Sequence, residues 1–388
     1  MKVLIIGCGI GGPLTAMALQ RVGIDAEIYE AYGDSAVGVG SFLNVASNGL
    51  DALRVLDAHK AVMAAGIPTP QMVMWNGNGK RLGEVPNGMA LDDGTVSHTI
   101  QRSDLYRVVR DTALARDIPI TFGKRLVSFD DTGTGVTAHF EDGTSARGDV
   151  LVAADGVHSR TRQVLDPGAP APRYSGLYSL GGLVKDGGLP GEVGVYHMIF
   201  GKRAFFGYTV AQSGDTWWFA NLPRALGDVP APAKSVEAWR PLLVEAFADD
   251  FIAASDLLTR TRIDPAVPIY DLPPLPLWHR GRVILTGDAA HATSPSAGQG
   301  ASMAAEDAIV LARCLSTERD PGRAFTAFER ARRERVERVV AYSRQISNNK
   351  AAGPVGRVLR DLMMPFFLKR TASQTNLTWL FHHHVDLV

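Results

Sequence analysis

The chain opens on a nearly all-apolar run, "KVLIIG", which leads through glycines into "PLTAMALQRVG", where apolar positions recur at helical spacing. The first run predicts a strand buried on both faces. Pro13 suits a first helical turn and Gly23 a helix end. "AEIYE" predicts the second strand of a βαβ unit. Further on, "QMVMWNGNGKRLGEV" predicts a hairpin with glycine and asparagine at its turn. "HTIQRSDLYRVVRDTALARD" predicts strand then helix, with Ser103 as N-cap. "GVTAHFEDGTSARGDVLVAADG" predicts three strands, and "GVYHMIFGKRAFFGYTVAQSGDTWWFANLP" several antiparallel ones. "RVILTGDAAH" returns to a buried strand running into a loop. Two helices follow, "GASMAAEDAIVLARCL" and the charged "AFTAFERARRERVERVVAYSRQISN".

Composition narrows this picture. The 388 residues suffice for two domains. Forty basic residues balance forty acidic ones, which argues against a nucleic-acid or membrane-surface role driven by bulk charge. No run reaches the roughly 20 apolar residues of a bilayer span. Cys8 and Cys314 make no disulfide framework, and the opening apolar stretch is too short for a secretory signal. The expectation is a cytoplasmic monomer or homodimer with a small-molecule partner and no nucleic acid or membrane.

The first glycines carry chemistry. Gly7 permits a tight turn off the strand, Gly9 lets backbone approach a pyrophosphate, and Gly12 lets the helix pack closely. The helix N-terminus offers unpaired N–H groups to phosphate. Glu30 ends the second strand at about the 20-residue spacing where a carboxylate meets ribose hydroxyls. An ADP-containing dinucleotide follows, and Glu30 repels an NADP 2′-phosphate. The motif does not choose between NAD and FAD.

Two later stretches point to flavin. Asp288 lies just past a buried strand; a carboxylate there repels phosphate and suits the hydroxyls of a ribityl chain. Pro295, Gly298, Gln299 and Gly300 belong to a small-residue loop entering a helix, whose N–H groups suit a flavin pyrimidine edge. In "DVLVAADGVHSRTR", Asp155 and Gly156 follow a strand and Ser159, Arg160 and Arg162 open the next segment.

Together these motifs resemble the single-component, class A FAD-dependent aromatic hydroxylases built like p-hydroxybenzoate hydroxylase. The matching residues are Gly7, Gly9, Gly12 and Glu30; Ala154, Asp155, Gly156, Ser159 and Arg162; and Gly287, Asp288, Ala289, Ala290, His291, Pro295, Gly298 and Gly300. "IQRSDLY" resembles the segment whose arginine, here Arg102, lies near FAD. Ala153 and Thr161 depart from the middle motif, and the large C-terminal domain of phenol-hydroxylase-type relatives is absent. The resemblance implies an α/β fold: a Rossmann-like FAD-binding domain of discontinuous segments (1–70, 98–175 and 272–388, the last with C-terminal helices) and an inserted β-sheet substrate domain (71–97 and 176–271).

It also implies the reaction. NADH or NADPH reduces FAD, dioxygen forms a flavin C4a-hydroperoxide, and one oxygen atom hydroxylates an aromatic or polycyclic small molecule; epoxidation and Baeyer–Villiger insertion stay open. Only one dinucleotide motif is present, so the nicotinamide should bind transiently near Asp155 and Arg162. Insert aromatics Tyr196, Phe205, Tyr208, Trp217 and Phe219 are candidates to roof the substrate, although about half of the insert's alternating rings should belong to its own core. His382, His383 and His384 share no helical face and predict no metal site, and His291 is expected as a structural hydrogen-bonder. The arginine- and glutamate-rich helix after Pro321 is expected to be a solvated face. The rival functions are a flavin oxidase or dehydrogenase without oxygen insertion and a non-catalytic flavin-binding redox sensor.

Overall fold

The computed structural model describes residues 1–33, 41–185, 189–228, 235–251, 254–349, 353–371 and 377–388. Strand Lys2–Ile6 lies inside a six-stranded sheet whose order is 279–280, 283–285, 150–153, 2–6, 25–29, 120–121. All neighbours are parallel except His279–Arg280 at the edge. Val3, Leu4, Ile5, Val150–Ala153 and Val283–Leu285 are fully buried, which is why these strands read as unbroken apolar runs. Helices Gly11–Arg21 and Gly300–Thr317 pack together, and Pro321–Asn349 packs on the latter. A three-stranded antiparallel sheet (126–131, 136–140, 145–148) joins the same core, with Phe140 stacked on Tyr29 at 5.0 Å. Gly23 ends the first helix in the left-handed region (φ +74°).

A second sheet runs 262–263, 173–184, 216–223, 205–210, 195–200, 71–76, 81–86, with 267–271 also paired to 173–184. Strand Val195–Phe200 pairs in parallel with Gln71–Asn76, so two distant stretches of chain share one sheet. Its outer face buries Leu180, Phe206, Trp218 and Leu222 against Trp239, Leu243 and Phe247. Helix Pro354–Thr371 lies at the other end of this sheet, with Arg360 over Phe200 at 4.7 Å. Residues 377–388 return to the first core through Leu380, Phe381 and Val385. No helix among the described residues is long and apolar enough to cross a membrane.

Strand His98–Gln101 runs straight into helix Arg102–Leu114. Gln101, in extended conformation, therefore takes the capping position, and Ser103, the expected cap, falls inside the first turn.

Candidate active site

The three glycines of the opening loop have three different reasons to be glycine. A Cβ on Gly7 (φ +106°) would sit 2.4 Å from the Ala154 carbonyl, because strand Val150–Ala153 lies beside strand Lys2–Ile6 and its exit turn abuts the loop. A Cβ on Gly12 would sit 2.0 Å from the Gly7 carbonyl oxygen. A Cβ on Gly9 would meet no protein atom within 4 Å; this glycine borders open space. Helix Gly11–Arg21 starts there, so its first N–H groups lack helical partners. Glu30 accepts from Cys8 N at 2.6 Å and Tyr32 N at 3.0 Å, which holds a carboxylate at the mouth of the loop. Burial, then Glu30, push the Cys8 thiol up to about 12, so it is no nucleophile.

Asp288 lies one residue past Gly287 (φ +54°), beyond strand Val283–Leu285, and close to the glycine loop: Cβ atoms built on Gly287 and on Gly11 would each come 3.8 Å from Ala304 Cβ. Its carboxylate is exposed to the open cleft but ringed by protein, and that surrounding pushes its pKa up against the pull of Arg102 and His291. Arg102 donates to the Tyr106 hydroxyl at 2.8 Å. Burial lowers the Arg102 pKa, yet Tyr106 and Asp288 outweigh it and the net direction is up. Arg102 and Asp288, 186 positions apart in the chain, thus act on each other across the cleft.

Pro295–Ala297 form a short 3-10 turn, and Gly298 (φ +62°) reverses the chain in the left-handed region against Asn44. The loop is fastened from behind: Ala297 N donates to Ser343 Oγ at 3.1 Å, and Ser296 and Ser347 share a 2.7 Å hydroxyl contact. Gln299 is fully buried. Its side chain is paired with that of Asn48, whereas the sequence placed it among the cofactor contacts without separating side chain from backbone.

The middle motif is a helix cap. Asp155 accepts from Ser159 Oγ (2.6 Å), Thr161 N (3.0 Å) and Thr161 Oγ1 (2.9 Å). Thr161, a departure from the family pattern, therefore adds a hydroxyl to the cap. Arg162 corrects the expectation of a nicotinamide contact. It is 2% exposed and gives its guanidinium to the carbonyls of Ala289 (2.9 Å) and Val157 (2.6 Å). It ties the motif to the Asp288 helix from beneath.

Strand alternation sorts the insert aromatics. Tyr196, Phe205, Trp217 and Phe219 fall on the inner face. Phe42, from strand Phe42–Val45, gathers three of them: Tyr196 at 6.2 Å, Trp217 at 5.9 Å and Phe219 at 5.7 Å between ring centres. Tyr208 does not join them. Register places it opposite His197 and Trp218 on the outer face, where it stacks on His197 at 4.6 Å and donates to the Pro190 carbonyl at 2.7 Å. The Tyr196 hydroxyl accepts from Thr99 at 2.7 Å, and contacts through Thr69 and Asn87 run on to Asn44. The sequence reading assigned nothing to Phe42, Asn44 or Thr99, and no signal in a single sequence marks them.

Beneath the loop lies a buried charged cluster. Asp307 accepts from His291 Nε2 (2.6 Å), Gly287 N (2.9 Å) and Arg332 Nε (2.7 Å). Glu306 accepts from Arg332 (2.7 Å), Arg335 (2.8 Å, twice) and Asn48 (2.8 Å). Burial pushes Glu306 up, but the two arginines prevail and hold it down at about 2. His291 is the structural hydrogen-bonder its position suggested. The helix after Pro321 is not simply a solvated face, because Arg332 is buried and Arg335 is 9% exposed, while Arg333 does make i,i+4 pairs with Glu329 and Glu337. The signal was there: two adjacent acids in an otherwise apolar helix, "AAEDAIVLA".

These residues fit FAD. Gly9 leaves open space beside the helix start where a pyrophosphate would fit, Glu30 holds a carboxylate next to that loop as a ribose hydroxyl requires, and Asp288 is an exposed carboxylate suited to hydroxyls rather than phosphate. The profile of the family described as FAD binding domain matches residues 1–343. An aurachin C monooxygenase/isomerase of Stigmatella aurantiaca is 33% identical over 352 residues, covering 89% of this chain and 88% of the relative. A FAD-dependent urate hydroxylase of Klebsiella pneumoniae is 33% identical over 355 residues, covering 89% of each. The crystal structure of a Klebsiella pneumoniae protein with FAD and uric acid superposes with a TM-score of 0.85 at 28% identity, over 98% of this chain and 97% of that one. That agreement, spanning nearly nine-tenths of both chains in sequence and more in structure, places this chain in the FAD-binding family of class A flavoprotein monooxygenases, with FAD as cofactor and NAD(P)H as co-substrate.

Proposed function

We propose that this enzyme hydroxylates a planar aromatic or polycyclic small molecule held between the inner aromatic face and the 295–300 loop. One observation carries the placement. Strand Phe42–Val45 gives Phe42 to the aromatic group and sets Asn44 against Gly298, so a single short strand joins the substrate face to the flavin loop. Register adds Met72, Met74 and Met198 to the same face, and the named residues there include no charge. The face suits a ring system that is neutral in the part it buries.

FAD supplies the oxygen-transfer chemistry. The chain's residues position and shield. Gly7–Gly12 and Glu30 hold the ADP half, Asp288 accepts from the ribityl chain beside Arg102, and the loop N–H groups up to Gly300 stabilise negative charge on the flavin ring. The aromatic wall keeps water away. We place the nicotinamide along the Asp155–Val157 turn, where Gly156 (φ +79°) has no protein atom within 4 Å of a built Cβ, with Arg162 supporting from below. A cytoplasmic monomer or homodimer is the proposed working form.

The test is a panel of neutral aromatic and heteroaromatic compounds assayed for acceleration of NAD(P)H oxidation under labelled dioxygen. One labelled oxygen atom in the product supports the reading. Stimulated oxidation giving only hydrogen peroxide with every compound favours an oxidase, and a flavin that no NAD(P)H reduces favours the redox sensor.

A further inference from the structure

The geometry points to Asn48 as the positioning residue that sets the flavin-facing loop, fixed in turn from the C-terminal end of the chain. This rests on the cofactor placement proposed above. Asn48 lies in the first turn of helix Ser47–Val55 and is 1% exposed. Its amide nitrogen donates to Gln299 Oε1 at 2.9 Å and to Glu306 Oε1 at 2.8 Å, and its carbonyl oxygen accepts from Gln299 Nε2 at 3.3 Å. Gln299 sits between left-handed Gly298 and the helix start at Gly300, so the paired amides fix the point where the loop becomes a helix. Backbone packing confirms how close the two helices come: a Cβ on Gly49 would sit 2.3 Å from Ser302 Oγ.

The other end of the chain holds Asn48 in place. Glu306 is chelated by Arg335, whose remaining donors reach the carbonyls of Trp379 (2.7 Å) and Leu380 (3.1 Å). A continuous series of hydrogen bonds therefore runs from residues 379–380 through Arg335, Glu306 and Asn48 to Gln299. Each group in it is buried or nearly so, which leaves few alternative partners. Removing the Asn48 amide leaves Glu306 satisfied by two arginines but frees the Gln299 side chain and hence the loop.

The experiment compares two ligands on the apoprotein. ADP reports the glycine-loop end of the site, and FAD reports both ends. Asn48→Leu and Gln299→Leu should each raise the Kd for FAD about tenfold while leaving that for ADP within about twofold. The double variant should be no weaker than either single one, because both remove the same bridge. A role confined to stability would weaken ADP and FAD together. Equal weakening of both ligands, additive effects, or an unchanged Kd for FAD would each overturn the assignment. Gln299→Leu lies on a loop and provides the same readout should Asn48→Leu fail to fold. Gly12→Val serves as the control for placement. If it weakens ADP and FAD alike while Asn48→Leu shows no selectivity, only the role of Asn48 falls; if it leaves ADP untouched, the placement and this inference fall together.

Discussion

Alanine at Gly12 brings a Cβ to 2.0 Å from the Gly7 carbonyl oxygen and 3.5 Å from Ile5 Cγ2. A carbon–oxygen contact needs about 3.3 Å, so helix and loop must part by about 1.3 Å. The helix has little room to move, since Leu14, Ala16, Met17, Ala18 and Leu19 are all at most 1% exposed in the core. Overpacking of this kind costs about 1–3 kcal/mol, against which a helical alanine returns less than about 1. Alanine at Gly9 meets nothing within 4 Å, and its φ is not left-handed. The apoprotein should tolerate it within about 0.5 kcal/mol. The same methyl nevertheless enters the open space proposed for the pyrophosphate, and FAD affinity should fall about tenfold, or about 1.4 kcal/mol. Urea unfolding of each apoprotein by tryptophan fluorescence, with FAD titration on the same samples, separates the two effects. Gly12→Ala should lose both stability and FAD, and Gly9→Ala only FAD. Parent-like FAD affinity in Gly9→Ala would refute the close backbone approach, and a parent-like urea midpoint in Gly12→Ala would refute the packing argument.

Three further outcomes are expected. Arg332→Leu removes the one cation shared by two buried carboxylates, leaving Glu306 to Arg335 and Asp307 to His291, and should cost about 3 kcal/mol in urea unfolding, whereas Arg107→Ala, from a half-exposed i,i+3 pair, should stay within about 0.5 kcal/mol; comparable losses would refute the ranking. Glu306 titrates at about 2 in the fold against 4.5 ordinarily, so its stabilisation is present above pH 4.5 and is lost as pH falls toward 2, on the order of 3 kcal/mol; a urea midpoint no steeper in that window than that of Glu306→Gln would contradict it. Phe219→Ala should raise KM for a hydroxylated substrate, while Tyr208→Phe should leave KM unchanged and lower stability by about 0.5–1.5 kcal/mol through the lost bond to Pro190; the reverse pattern would exchange the two faces of the sheet.

Local rules made much of this protein legible in one dimension. A strand buried on both faces must be apolar throughout, a glycine turn before a helix must bind or pack closely, and an acid at a strand end beside it has few other uses; these constraints act within about 30 residues and marked Gly7, Gly9, Gly12 and Glu30 directly. Asp288 and its loop stood out in the sequence for the same reason, as an acid and small residues directly after a buried strand. The sorting of Tyr208 from Phe219 was not readable there, because alternation says that neighbours oppose one another but not which face is inner; only the arrival of Phe42, from a strand far earlier in the chain, decides it. Arg162 was expected beside the nicotinamide because it opens a polar motif, and its burial depends on the carbonyl of Ala289, 127 residues downstream. Asn48 and Gln299 are 251 residues apart, and Glu306 and Arg335 meet between two helices. Such polar groups acquire meaning only when the fold removes water from around them, for then each must find its partner within the protein, and the partner's place in the chain is set by topology rather than by neighbouring sequence.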